Sequence, residues 1–367
     1  MEKSVVQQKN AYEKANTSYG EHISYQEQEI LKRYGHVQQQ TTDQTMLKAW
    51  RLARLYQQQY RIVGNHSVVK ICHWTKKSMK NEGNCYKHYF YGVDTLRCLE
   101  MSPAITCNQR CKHCWRDTSV YSPAWVGPVD DPEYIVQESI AQRNQLLIGF
   151  KGNKAVLPQD FEQAIIPSHV AISLTGEPCM YPRISELIEA YFKKGVRTVF
   201  LVTSGTVPQA IKAIIERGAY PTNLYLSVEA RNEEEYKALC IPVIPNAYTL
   251  VQESMKLLST IPTRTVMRIT CMKGLNMDDP EGFYPAIRLM NPDYIELKGY
   301  MFLGYSMLRM KKENMPRFEE VKAFAQAFIE GIDYQIVDEH APSTIVLLKR
   351  KTPRKEYQDQ LYLEKLV

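Results

Sequence analysis

CNQRCKHC, residues 107–114, decides how this chain is read. Cys107, Cys111 and Cys114 stand in a C-x3-C-x2-C spacing, and Trp115 and Arg116 follow at once. Three thiolates on one short loop suit a four-iron cluster in which one iron has no protein ligand. An open coordination position is where a small molecule binds a metal. The blander reading is zinc or buried core thiols. Structural zinc usually takes four protein ligands, often as two close Cys pairs. No second close pair of cysteines lies downstream.

Upstream, Cys72, Cys85 and Cys98 are spaced C-x12-C-x12-C. They offer three more thiolates, enough for a second four-iron cluster with an open iron. With His73 or His88 they would instead make a Cys3His zinc site. Spacing alone leaves both readings open. Cys179, Cys240 and Cys271 remain. They read as small core residues, although Cys179 follows the Gly-Glu-Pro turn and lies near any site built there.

Downstream, short apolar runs alternate with amphipathic stretches. Strands are expected over Leu99–Thr106, His169–Thr175, Thr198–Ser204, Asn223–Ala230, Arg264–Met272 and Tyr294–Met301. Helices should begin near Pro132, Pro182, Pro208, Asn246, Pro280 and Pro316, several with proline in the first turn. Six such units with apolar strands argue for a parallel sheet buried on both faces. With the cysteine loop after the first strand, the fold class is α/β, a partial (β/α)6 barrel with an N-terminal cysteine-bearing extension. Functional groups should gather at the C-terminal strand ends. Four segments are expected: 1–58, a helical extension of unassigned role; 59–98, bearing the upstream cysteines and packed on the barrel; 99–348, the barrel; and 349–367, a basic tail.

The chain has 367 residues and a net charge of +6, enough for a large core and a modest basic bias. No apolar run approaches the roughly 18 residues of a membrane span, so no membrane partner is expected. The polar start, MEKSVVQQKNAYEKANTS, lacks the apolar stretch of a signal peptide. Nine cysteines without export suggest the cytoplasm and metal ligation in place of disulfides. A monomer is expected. Lys70, Lys76, Lys77, Lys80, Lys87, Arg97, Arg110, Lys112 and Arg116 crowd the cysteine region, with Tyr86, Tyr89, Phe90 and Tyr91 between them. Lys349, Arg350, Lys351, Arg354 and Lys355 form a second group. Cations with aromatics suit RNA, although charge alone better suits a solvated surface.

The cysteine loop resembles the fingerprint of the radical SAM superfamily. Further residues carry the resemblance to one family: YRIVGNHSVVKICHWTKKS (60–78), CYKHYFYG (85–92), RCLEMSPAITCNQRCKHCWR (97–116), SLTGEPCMYP (173–182) and ELKGYMFLGYS (296–306) with ENMP (313–316). From about Tyr60 to Leu348 the chain is similar to tRNA 4-demethylwyosine synthases, with both cysteine trios in that family's order. The resemblance implies two 4Fe-4S clusters, on Cys107, Cys111 and Cys114 and on Cys72, Cys85 and Cys98, with S-adenosyl-L-methionine (SAM) on the first. It implies that N1-methylguanosine beside the anticodon of phenylalanine tRNA condenses with two carbons of pyruvate to give 4-demethylwyosine. That step of wyosine and wybutosine biosynthesis is carbon–carbon lyase chemistry.

On this resemblance the open iron of the second cluster would chelate pyruvate. Lys87 matches a family lysine considered for a Schiff base, and a phosphate-binding or structural role is the alternative. Gly176 would permit the tight turn in SLTGEP, and Glu177 would accept from the methionine ammonium of SAM. Ser204 and Ser227 would meet ribose or carboxylate. Family members usually read TNG and SLDA where this chain has TSG and SVEA, so Ser204 and Glu229 depart from the pattern. Lys273, Asn276 and Lys298 are expected near SAM or the nucleotide. The loop carrying Tyr305, Arg309, Lys311 and Lys312 would clasp the anticodon stem-loop. Eukaryotic relatives carry a flavodoxin-like domain, and residues 1–58 are too short for one, so an external low-potential electron donor is implied. Two rivals remain: a radical SAM enzyme with an auxiliary cluster acting on a peptide or small molecule, and a non-catalytic iron–sulfur or zinc RNA-binding protein.

Overall fold

A computed structural model describes residues 54–354. Residues 1–53 and 355–367 lie outside that range, and with them most of the helical extension and of the basic tail.

A hairpin of β1 (Arg61–Val63) and β2 (Ser67–Lys70) comes first, followed by helices α1 (His73–Ser78) and α2 (Tyr86–Tyr91). Then β3 (Cys98–Ser102) opens the βα series. It is followed by α3 (Pro132–Leu147), α4 (Pro158–Ala164), β4 (His169–Ile172), α5 (Ile184–Lys193), β5 (Thr198–Thr203), α6 (Pro208–Arg217) and β6 (Asn223–Ser227). The series closes with α7 (Glu233–Cys240), α8 (Ala247–Leu258), β7 (Arg264–Cys271), α9 (Tyr284–Met290), β8 (Tyr294–Gly299) and α10 (Phe318–Phe328). A hairpin of β9 (Tyr334–His340) and β10 (Ile345–Arg350) ends the described chain.

All ten strands form one sheet, in the order β1-β2-β3-β4-β5-β6-β7-β8-β10-β9. Strands β3 to β8 are parallel, and antiparallel hairpins extend both ends. The sheet is a partial barrel of six βα units, flanked by two hairpins that the sequence pattern did not anticipate. The inner strands are buried on both faces, as crossover helices require. After a buried Tyr334, β9 alternates exposed and half-buried residues, as a one-faced edge strand does.

One face of the sheet packs on helices through residues such as Leu99, Val170, Leu201, Leu224, Met267 and Ile295. The opposite, inner face carries Phe200, Tyr225, Val266, Tyr294 and Leu347, and Tyr91 and Val93 plug it. The end of α2 therefore enters the barrel. The two upstream cysteines at its start and at the start of β3 are placed by that insertion. Asp131 caps α3, accepting from the backbone N–H groups of Glu133 and Tyr134, with Pro132 beside it.

Candidate active site

The 107–114 loop leaves the C-terminal end of β3 and is held from several sides. The last carbonyls of α7 lack helical partners, as helix ends do. They accept instead from the loop: Arg110 N donates to Cys240 O (3.1 Å) and Ile241 O (3.0 Å), and Lys112 N to Leu239 O (2.9 Å). Arg110 curls back, donating to Cys107 O (2.8 Å) and Gln109 O (2.9 Å). Arg309 reaches in from the loop after β8 and donates to the carbonyls of Lys112 (3.3 Å), Arg116 (3.4 Å) and Cys114. It was expected on RNA; the structure uses it as a brace for the cysteine loop.

Gly176 lies against this loop at φ +67°, where an added Cβ would stand 2.1 Å from Ala104 O and 2.5 Å from Thr106 O. Only glycine allows that approach. Glu177 is buried, and both its oxygens are engaged. Cys179 N (3.0 Å) and Thr203 Oγ1 (2.6 Å) donate to one, Ser204 N (2.7 Å) and Ser204 Oγ (2.6 Å) to the other. Those donors occupy the acceptor sites of a carboxylate. Glu177 and Ser204 thus tie the end of β4 to the end of β5. Ser227 ends β6, half-buried.

Two expected SAM contacts point elsewhere. The Asn276 amide is fully buried and consumed by the backbone, accepting from Met272 N (2.7 Å) and donating to Glu229 O (3.0 Å) and Thr270 O (2.9 Å). Lys273 pairs with Glu320 at the rim. Glu229 accepts from Thr270 N (2.7 Å) and faces His113 Nε2 at 3.6 Å.

The second trio lies where α1, α2 and β3 begin. Cys72 precedes α1, Cys85 precedes α2, and Cys98 opens β3. Inside the barrel, Lys87 is buried with its ammonium 4.8 Å from the Phe200 ring centroid and 5.9 Å from that of Tyr225. Lys298 donates to Ser343 O (3.0 Å) and lies over Tyr86. Burial, reinforced by Arg268, pushes the Lys298 amine down to about 8. Glu296, fully buried, accepts from Tyr91 (2.8 Å), Tyr225 (2.9 Å) and Arg268 (2.6 Å), and Arg268 donates onward to the Tyr86 hydroxyl (2.6 Å). This network had no sequence signal beyond isolated polar residues in apolar strands. It sets the stretch Cys85–Lys87 in place.

The basic crowd read from the sequence does not form one surface. Arg97 binds Ile166 O, Arg110 staples the cysteine loop, and Lys87 and Arg116 are buried. Lys311 and Lys312 are exposed.

Burial raises every thiol of both trios, and neighbouring thiols add to the rise at all but Cys85, where Glu100 does so; Cys98 and Cys114 reach about 12. For Cys111 the nearby Cys240 thiol is the first cause. Lys87 opposes the rise at Cys85 and Cys98. Three sequestered thiols that resist ionising alone are a donor set that a cationic metal group stabilises as thiolates. Among the described residues no three His, Cys, Asp or Glu side chains converge on a single-ion site. A four-iron cluster does not require that, because each thiolate holds a different iron. His88 uses Nδ1 on Val93 O (3.0 Å).

Two family models match the chain: the radical SAM superfamily over residues 101–284 and wyosine base formation over residues 289–350. The S-adenosyl-L-methionine-dependent tRNA 4-demethylwyosine synthase of Pyrococcus abyssi is 43% identical over 303 residues, covering 82% of this chain and 88% of that protein. The synthase of Mus musculus is 35% identical, covering 81% of this chain and 41% of its own greater length. A solved structure of TYW1 with a lysine-pyruvate adduct bound superimposes with a TM-score of 0.75 at 32% identity, covering 83% of this chain and 97% of that one. Archaeal TYW1 gives a TM-score of 0.69 at 28% identity, over 85% and 100%.

Proposed function

The chain belongs to the tRNA 4-demethylwyosine synthases of the radical SAM superfamily, and from that premise we propose that it joins pyruvate to N1-methylguanosine beside the anticodon of phenylalanine tRNA. Family membership carries a 4Fe-4S cluster and SAM with it. Cys107, Cys111 and Cys114 would hold that cluster, and Cys72, Cys85 and Cys98 a second. When bound, the first cluster with SAM supplies the 5′-deoxyadenosyl radical that takes a hydrogen from the N1-methyl group.

The rest falls to the protein's own residues. Lys87 attacks the keto carbon of pyruvate, forming an imine and releasing water. A lysine in a closed aromatic pocket beside other cations is a suitable amine nucleophile. The Lys298 ammonium lies on the same side and serves the pyruvate carboxylate. Glu296, through Arg268 and Tyr86, keeps Lys87 from swinging away. The methylene radical adds to the imine carbon. The bond from that carbon to the carboxylate breaks, and the one-carbon unit leaves with the unpaired electron. The guanine 2-amino group displaces the Lys87 amine to close the ring, which makes the reaction a carbon–carbon lyase step. An external one-electron donor is required.

The observation that carries this reading is the burial of Lys87 among aromatics, beside the upstream thiols. The lysine-pyruvate adduct of the 32% identical relative favours an amine over an open iron as the first holder of pyruvate. Anaerobic reaction with carbon-labelled pyruvate and borohydride, followed by peptide mapping, should place the label on Lys87. Nucleoside mass spectrometry of the tRNA should show the tricyclic base. Label on Lys298 alone would remove Lys87 from the role.

A further inference from the structure

Arg116, two residues beyond the last cysteine of the loop, has no part in the chemistry above. Its residue is 8% exposed, and its guanidinium lies 3.2 Å from the Trp115 ring centroid and 5.1 Å from that of Tyr60. Nη2 donates to Leu174 O, while Nε and Nη1 are buried without a partner. Arginine has five N–H groups, so the Nε hydrogen and both Nη1 hydrogens are left over. Among the described residues no carboxylate pairs with Arg116. Asp117, its neighbour, is taken by Arg54 at 3.2 Å. The Tyr60 hydroxyl is buried and unpartnered as well. Beside them Lys70 holds its ammonium 4.7 Å from the Tyr60 ring centroid and 5.9 Å from that of Trp115.

A desolvated guanidinium with three idle donors is costly to bury. An anion repays that cost, because charge-assisted bonds from arginine to phosphate are strong. A cleft opens over this group, lined by Arg54, Tyr60, Arg116, Tyr121 and Thr175 among others. Trp115 is 43% exposed, and its ring offers a surface for a base.

We propose that Arg116, Lys70 and the Tyr60 hydroxyl form a phosphodiester subsite for the substrate RNA, with Trp115 stacking on an adjoining base. The inference rests on the tRNA reading and extends it to particular atoms. An open cleft with an exposed indole fits a backbone phosphate flanked by its base better than it fits a free carboxylate such as pyruvate. The site fixes where the strand passes relative to the Cys114 end of the loop. The target nucleotide is thus held by its backbone on the β1–β2 side of the barrel.

The test uses the full chain, anaerobically reconstituted, with unmodified and N1-methylguanosine-containing tRNA. Binding is followed over a salt series for the natural protein, Arg116→Met and Lys70→Gln. Each variant should bind roughly tenfold more weakly, with the log–log salt slope reduced by about 0.7 per lost contact, the single-strand value. Inorganic phosphate should compete with tRNA on the natural protein and less on Arg116→Met. Iron content checks that Arg116→Met still folds; if it does not, Lys70→Gln carries the test. Unchanged affinity and slope in Lys70→Gln and in any folded Arg116→Met overturn the subsite. So does a raised pyruvate requirement with tRNA affinity intact, which would make it a carboxylate site. If the natural protein itself does not bind tRNA, the tRNA reading fails, and that outcome is distinct from failure of the subsite alone.

Discussion

Single residues decide whether the cysteine loop can seat. Gly176→Ala would press a Cβ against two backbone carbonyls, which cannot move aside as a side-chain tip can. The variant should lose the iron of the cluster on Cys107, Cys111 and Cys114 and all SAM cleavage, while keeping whatever iron the proposed second cluster on Cys72, Cys85 and Cys98 holds. Normal iron content and SAM cleavage would refute the contact. His66 sets a different dependence. Its Nδ1 lies 2.6 Å from Pro103 O and its Nε2 accepts from Asp130 N at 3.0 Å, which requires a neutral ring. Burial lowers its pKa, and Asp130 only partly opposes this. The unfolded ring binds a proton near its ordinary value of about 6.5. The folded ring binds one only at lower pH. The stabilisation is therefore complete above about 6.5 and is lost as pH falls toward the folded value. Urea midpoints from pH 8 down to about 5 should drop, and His66→Gln should flatten that trend; parallel curves would refute it.

At the scale of elements, the loop after β8 turns Arg309 inward as a brace and leaves Lys311 and Lys312 exposed. Arg309→Ala should leave the sheet intact but speed the loss to a chelator of iron held by Cys107, Cys111 and Cys114, and leave the proposed second cluster unaffected. Lys311→Glu with Lys312→Glu should instead weaken tRNA binding and lower its salt slope, and unchanged binding would take this loop out of the interface. That division was not legible in the sequence, where Arg309, Lys311 and Lys312 look alike. The cysteine spacings and the six buried strands were legible, because ligand order and apolar runs are local properties. The hairpins β1–β2 and β9–β10 were not: β1 and β2 have only three and four residues, too few to show a period, and β9 buries only its first residue. Helix α7 was also missed, although Asn232 followed by three glutamates is an N-terminal signal. Asn276 and Lys273 were misdirected for a related reason. A residue past a strand end turns inward or outward according to the loop that follows, and spacing does not encode that turn.

For the whole molecule, a buried ion pair ties the chain after β10 to the turn before β8 and to the connection between α8 and β7. Arg354, buried, donates to Asp293 at 2.7 and 2.8 Å and to the carbonyls of Leu258, Ser259, Ile261 and Thr263. Removing one partner leaves the other charge buried, at a cost of about 3–5 kcal/mol. Arg354→Met should show that loss in urea unfolding; a loss under about 1 kcal/mol would mean the pair is dispensable. The brace from Arg309 has a consequence for biogenesis. It grips the carbonyls of Lys112 and Cys114 from 197 and 195 positions further along the chain. A ribosome therefore emits the cysteine loop long before it emits the residue that fastens it. A nascent chain arrested between α8 and β8 would hold this loop by its α7 contacts but without the Arg309 brace. The loop is therefore fully braced only once the segment after β8 has been made.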